Sequence, residues 1–441
     1  MNARIGNLRL AAAALAAVAL IAGCGSSATP APTQAPSQPA APTQAPVVAS
    51  PTPQAPTSAA ASTTAQGPCF QSSKTSFTVA MVRWDPADIY FNGVQLGEQI
   101  EHDRILKDCG VTINWKLFGS DDSSKQLTAL QSYLAAGVDG VDLEPYDGAA
   151  FTTIAKQINA QNLPFVVHDV DVPGAQEVFA GFDNVAAGKI GGDAAIAALN
   201  SARGSGWQQQ EGVFIVLRCI VGDAFDIGRT NGYHSAFDSI VSASGGKIKV
   251  ETQEVGCNDT KARTATDGII ARYGQDKVLA VFAIDGDSGF GAVSALKARN
   301  MIVAKTDPHY IPVVAVDGSE AEMSSIAKGE MLTAAVQPAV AAGVVAERLL
   351  YQELATGKLL TKPAADGATY DMPDYVGAPW GPVKIVSGPE YDGPWYQTST
   401  YDVASIGLDN HWQWANLLDE SQTGQWPHYT DQGCVSGCPH A

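Results

Sequence analysis

The chain has 441 residues, 45% of them hydrophobic and 16% charged, with a formal charge of −18. That length exceeds one ordinary core and predicts two lobes. So acidic a surface repels phosphate backbones and anionic lipid headgroups, which excludes nucleic-acid binding.

Arg4 and Arg9 accompany an uninterrupted Ala/Leu/Val/Ile stretch from Leu10 to Ala22. The stretch is too short to span a bilayer as a helix, and it suits the apolar region of a secretory signal. Its ending, Leu20-Ile21-Ala22-Gly23-Cys24, resembles the lipobox of bacterial lipoproteins, where cleavage before the cysteine leaves its thiol acylated. Segment 1–24 is therefore read as a lipoprotein signal with Cys24 as the lipid-bearing residue. Residues 25–68 are dominated by Ala, Pro, Thr, Ser and Gln, and Ala-Pro-Thr-Gln-Ala-Pro occurs at 31–36 and again at 41–46. Nothing there is apolar enough to repay chain ordering, so a disordered, extended stalk is expected. The folded body then stands outside the cytoplasm, held to the bacterial membrane by lipid alone.

From residue 77 the chain alternates short apolar runs with helical patterns. Strands are expected at 77–82, 111–118, 138–143, 164–169, 178–182, 212–219, 248–255, 278–284, 313–316 and 332–336. Helices are expected at 92–107, 123–136, 149–160, 185–201, 226–240, 262–273, 289–298 and 339–354. Continuous apolar strands such as Val213-Phe214-Ile215-Val216-Leu217 suit sheets covered on both faces. The alternation predicts an α/β fold of doubly wound parallel sheets, two of them for this length.

In such sheets functional groups gather beyond the carboxyl ends of the strands. Those positions carry Trp84, Asp88, Tyr90, Phe91, Asp169, Arg229, Asp285, Asp317 and Gln337. Carboxylates and amides accept from vicinal hydroxyls, Arg donates in a planar fork, and aromatic faces cover the C–H faces of sugar rings. Neutral polyols fit this inventory better than anions.

Six segments carry a family resemblance. They are Leu163-Pro164-Phe165-Val166-Val167-His168-Asp169, Phe182-Asp183-Asn184-Val185-Ala186-Ala187-Gly188, Arg229-Thr230-Asn231-Gly232-Tyr233, Ala283-Ile284-Asp285-Gly286-Asp287, Val316-Asp317-Gly318 and Ala335-Val336-Gln337-Pro338. In order and spacing the chain resembles, over roughly residues 77–357, the ribose/galactose-type periplasmic sugar-binding proteins, the substrate receptors of ABC importers. The resemblance implies two Rossmann-like lobes of the periplasmic-binding-protein type I joined by a hinge, 72–178 plus 338–360 and 179–337. It implies sugar contacts at the nine residues named above, a membrane permease as partner, a monomer, and no catalysis, cofactor or metal. Val170 follows Asp169 where ribose binders carry Arg, Cys257-Asn258-Asp259 stands where an aromatic would stack, and Trp84 stands where something small is usual. Those departures argue against ribose itself. A sugar-sensing receptor for a membrane signalling protein uses the same closing cleft, and a glycosidase would need Asp169, Asp285 or Asp317 paired across a scissile bond.

Residues 361–441 lie beyond the resemblance and read as an irregular extension rich in Gly, Pro and Trp, expected to wrap a lobe or the hinge. A second carbohydrate platform built on its Trp side chains is the alternative. Once Cys24 is set aside, six cysteines remain in an oxidising compartment, which allows fifteen formal pairings. Topology favours Cys219–Cys257 at the carboxyl ends of neighbouring strands, Cys69–Cys109 at the opposite end of the first lobe, and Cys434–Cys438 closing a short loop. A buried free thiol at Cys219, or metal ligation by Cys434, Cys438 and His440, are the competing readings. Gly286-Asp287-Ser288-Gly289 resembles a serine-protease nucleophile segment, yet between a parallel strand and a helix it reads as turn and cap.

Overall fold

Near-continuous apolar runs become the central strands of two parallel sheets. In the computed structural model, which describes residues 69–84, 87–174, 178–360, 367–387 and 393–439, these residues fall within one unit, Ser62–Ala441. Cys24, the stalk and His440 lie outside the described residues.

The first sheet is built on β1 (Ser76–Arg83), β2 (Thr112–Gly119), β3 (Gly140–Leu143), β4 (Phe165–His168) and β5 (Val178–Phe182), in the order β5-β4-β3-β1-β2. The second holds β6 (Gly212–Arg218), β7 (Ile248–Glu254), β8 (Val278–Ala283), β9 (Val313–Asp317) and β10 (Thr333–Val336), in the order β10-β9-β8-β6-β7. Both follow one doubly wound pattern, whose crevice lies beyond the strand carboxyl ends. Phe214, Ile215, Val216 and Leu217 in β6 are at most 1% exposed because helices cover both faces.

The crossovers of the first sheet are α1 (Ile89–Cys109), α2 (Ser123–Ala136) and α3 (Gly148–Ala160), and α4 (Asn184–Arg203) leads from it to β6. The second sheet carries α5 (Ala224–Ala243), α6 (Asp259–Tyr273), α7 (Gly286–Ala298) and α8 (Glu320–Ala327), and α9 (Ala339–Thr356) returns to pack on α1. Most of these helices start one to three residues before the apolar periodicity does. The reason is capping: Asp88, Asp122, Asp147, Asp183, Asn258 and Asp285 each accept from a backbone N–H of the first turn. Helix α8 was not expected from periodicity. It is set by a capping box in which Ser319 and Glu322 satisfy each other's backbone N–H groups.

Two expectations are corrected. Residues 179–182, assigned from sequence to the second lobe, belong to β5, which pairs with β4 in the first sheet. The extension is also far from irregular. Its strands β11 (Ala368–Tyr370), β12 (Val383–Val386) and β13 (Trp395–Thr398) continue the first sheet, with β13 parallel to β5 and the other pairings antiparallel. Without them β5 would present a bare edge. The extension then crosses to the second sheet, where the Val336 N–H donates to the Tyr401 carbonyl at 2.7 Å. It continues through α10 (Val403–Ile406), α11 (Trp414–Thr423) and the hairpin β14 (His428–Thr430) and β15 (Gly433–Ser436). It therefore touches both sheets. Trp380 and Trp414 are only 5% and 1% exposed, which makes them packing residues and not a surface platform.

Disulfides join Cys69–Cys109, Cys219–Cys257 and Cys434–Cys438, with Cα separations of 5.4, 4.6 and 6.3 Å. The second follows from β6 and β7 being hydrogen-bonded neighbours.

Candidate functional site

Every expected contact residue sits at or just past a strand's carboxyl end, or in the helix that follows. Trp84 follows β1, while Asp88, Tyr90 and Phe91 begin α1. Asp169 follows β4, Asp285 follows β8, Asp317 ends β9 and Gln337 follows β10. Arg229 lies one turn into α5 and is brought forward by an unusually close pair of helices. A Cβ on Gly188 of α4 would lie 2.0 Å from the Arg229 carbonyl, and one on Gly232 would lie 2.3 Å from the Val185 carbonyl. Only glycine permits that approach.

Polar contacts join Asp169, Gln337, Arg229 and Asp317 in one chain. Gln337 Nε2 donates to Asp169 Oδ1 at 2.6 Å, and Arg229 Nη2 donates to Gln337 Oε1. Arg229 Nη1 donates to the Ile284 carbonyl at 2.9 Å and lies 3.7 Å from Asp317 Oδ1. Its Nε donates to Asn184 Oδ1 at 3.0 Å, and its guanidinium lies over the rings of Phe182 and Phe225, 5.3 and 5.2 Å from their centroids. A polar chain thus runs from the first sheet through Gln337 to the second. Asp169 and Asp317 both adopt positive φ, 65° and 152°, a strained backbone that persists where surrounding structure demands it.

The aromatic residues form a separate wall. Trp84 stacks on Phe91 with centroids 5.3 Å apart, and Tyr146 meets the Trp84 edge at 5.0 Å. Tyr90 contacts Phe91 at 5.2 Å and Trp414 of the extension at 6.1 Å. Trp414 Nε1 also donates to the Asp317 carbonyl at 2.8 Å, which ties the extension to a cleft carboxylate. Asp88 and Asp285 are helix caps first, each accepting with Oδ1 from a backbone N–H (Tyr90 at 2.8 Å, Ser288 at 3.1 Å). Ser288 lies in the first turn of α7 and is fully buried, so its motif is a helix start.

Two cavities flank the polar chain. One, of about 10 Å³, is lined by Tyr90, Asp169, Phe182, Asn184 and Gln337 among others. The other, of about 20 Å³, shares Asp169 and Asn184 and adds Asp171, Asp223, Phe225 and Trp395. Trp84, Asp88, Phe91, Arg229, Asp285 and Asp317 line neither cavity. Sequence reasoning missed Phe182, Phe225 and Trp395 as neighbours of the site. Asn184 was legible as a strand-end group just past β5 but was not counted among the contacts.

Desolvation dominates the electrostatics. Burial, then the nearby Glu144 charge, pushes Asp169 up to about 6. Burial and Glu322 raise Asp317 well above the usual carboxylate range, with Arg229 opposing. Elsewhere burial lifts Glu322, Glu347 and Glu353 to about 7. For each of these groups the folded chain binds a proton more tightly than the unfolded chain does. Stability is then present at mildly acidic pH and is lost as pH rises from about 4 towards about 7. His168, raised above its ordinary value by Asp142 and Glu144 against its own burial, acts in the same direction. The ligand-free protein is expected to melt at a higher temperature at pH 5.5 than at pH 8, by scanning calorimetry. The opposite order would show these carboxylates to be better solvated than their burial indicates.

Comparison with known proteins agrees with this architecture. Residues 97–359 match the periplasmic binding protein domain family. The ribose import binding protein of Bacillus subtilis (strain 168) is 26% identical over 271 residues, 61% of this chain and 78% of that protein. The substrate-binding protein of a sugar ABC transport system from Bordetella parapertussis 12822 superposes with a TM-score of 0.59 at 16% identity, covering 78% of this chain and 94% of that one. The periplasmic ribose ABC transporter structure from Conexibacter woesei DSM 14684 gives 0.53 at 20% identity, over 66% and 89%. The chain belongs to the periplasmic binding protein domain family.

Proposed function

We propose that this chain captures a sugar or sugar-like polyol between its two lobes and delivers it to an ABC permease, from a lipid-anchored position outside the cytoplasm. The observation that carries the ligand class is the Asp169–Gln337–Arg229 chain flanked by Asp317. It offers acceptors and fork-shaped donors in alternation, with aromatic rings beside it, as vicinal hydroxyls on a puckered ring require. Binding would follow hinge closure: a ligand contacting both lobes stabilises the closed form, which the permease recognises. Trp84, Asp88, Tyr90, Phe91 and Asp285 would complete the contacts from the two sides, and the protein would act as a monomer. The Val170 departure argues against ribose and the likeness to a ribose import binding protein argues for it, so the ligand class is a sugar or polyol.

A thermal-shift screen of the mature chain against pentoses, hexoses, inositols and disaccharides tests this reading. A ligand present at a hundredfold its Kd adds about 2.7 kcal/mol to stability. A panel with no shift at millimolar sugar would sink the proposal. The anchor is tested separately: Cys24→Ala is expected to release the protein from the membrane fraction, and equal retention would rule acylation out.

A further inference from the structure

We infer that Glu98, Asp142 and His168, buried behind the cleft carboxylate Asp169, form a binding site for a divalent cation of the zinc or manganese class. Strand geometry builds the site. Asp142 and Glu144 are two apart and share one face of β3 and its extension. The register pairs Asp142 with Val166 and Leu143 with Val167, which sets His168 beside Glu144. Glu98 meets them from the buried stripe of α1, among Val94, Gly97 and Ile105.

Glu98, Asp142 and Glu144 are 0% exposed and His168 is 1% exposed. His168 Nε2 lies 2.6 Å from Asp142 Oδ1 and 3.6 Å from Glu98 Oε1. Those separations bracket the roughly 3.4 Å edge of a tetrahedron with metal–ligand bonds of about 2.1 Å. The other ring nitrogen, Nδ1, faces Glu144 Oε1 at 3.3 Å, and Arg83 Nε lies 3.7 Å from Glu144 Oε2. A carboxylate behind a histidine in this way fixes the ring and its tautomer for a metal.

Both carboxylate oxygens of Glu98 and Oδ2 of Asp142 have no hydrogen-bond partner although they are buried, whereas the Glu144 oxygens meet His168 and Arg83. Buried acceptors of this kind are costly unless a cation or donor meets them. The cationic partners of the cluster are few: three carboxylates share the His168 ring and one guanidinium, Arg83, which is itself turned towards Gln95 and the Phe91 carbonyl. Among the described residues, two other clusters of potential ligands include Cys219 with Cys257 and Cys434 with Cys438, which are joined in disulfides.

The test uses the full mature chain, stripped with chelator and then exposed to Zn²⁺ alone and, in a second arm, to Mn²⁺ alone. Ions are added both to folded protein and during refolding with disulfides intact. Metal content after gel filtration is expected to approach one equivalent, with a rise in melting temperature. Glu98→Gln and His168→Leu should lose that equivalent, and Glu144→Gln should weaken it by about 10–100-fold, as loss of a ligand-orienting carboxylate does. Should a variant fail to fold, wild-type protein loaded with Co²⁺ still reports the site, through visible bands of nitrogen–oxygen coordination. The inference is overturned if wild-type protein retains no ion under either loading condition. It is equally overturned if folded Glu98→Gln and His168→Leu bind as tightly as wild type, which would place the ion elsewhere.

Discussion

Arg229→Ala is expected to weaken sugar binding by at least about tenfold while leaving the fold intact, the lower bound for truncating one partner of a buried charge pair. The guanidinium is 4% exposed and donates to Gln337, Ile284 and Asn184 while facing Asp317. Its removal takes away the fork proposed to donate to ligand oxygens. It also frees Gln337 and leaves Asp317 without the cation that opposes Glu322. Arg229→Lys should fall between wild type and alanine, because an ammonium restores charge but not the planar pair of donors. Calorimetric titration with the best sugar from the screen reads the effect, with circular dichroism as the check on folding. Unchanged affinity in Arg229→Ala would mean that the sugar binds away from this chain of residues.

Trp414→Ala is expected to cost about 3–5 kcal/mol of stability, the range for removing a buried aromatic. Its ring is 1% exposed and packs so closely on α1 that a Cβ at Gly93 would lie 2.8 Å from it. Its indole N–H holds the carbonyl of Asp317, a residue with strained backbone. Loss of the side chain should therefore reach the cleft as well as the core, and sugar affinity should fall along with stability. Trp414→Phe separates the two contributions, since it keeps most of the packing and loses the hydrogen bond, worth about 1 kcal/mol. Denaturant unfolding of both variants measures the difference. A Trp414→Ala protein as stable as wild type would show the extension to be a passive tail.

The strands and helices of both lobes were legible because buried parallel strands and amphipathic helices leave strong patterns. β6 shows this best, with five consecutive apolar residues buried on both faces. Helix starts were read late because Asp88, Asp183 and Asp285 carry capping information that hydrophobic periodicity ignores. The same fact blurred the site: an aspartate past a strand end reads equally as a hydroxyl acceptor and as a cap. Asp169, Arg229, Asp317 and Gln337 meet because the parallel topology collects strand ends from distant parts of the chain. The contribution of the extension was not legible. Trp395 reaches the cleft only because β13 pairs with β5, and no local pattern in a Gly- and Pro-rich segment announces a pairing so distant in sequence. The charged cluster around His168 was hidden for a related reason, since Glu98 and Asp142 become neighbours only when α1 folds over β3.

The most direct test of the central claim is a crystal structure of the mature protein grown with the sugar that gives the largest thermal shift. The account predicts that sugar between the two sheets, with hydroxyls on Asp169, Arg229 or Gln337 and an aromatic face of the Trp84–Phe91 wall against its ring. Sugar bound only at the surface of the extension, with the cleft closed over water, would contradict it.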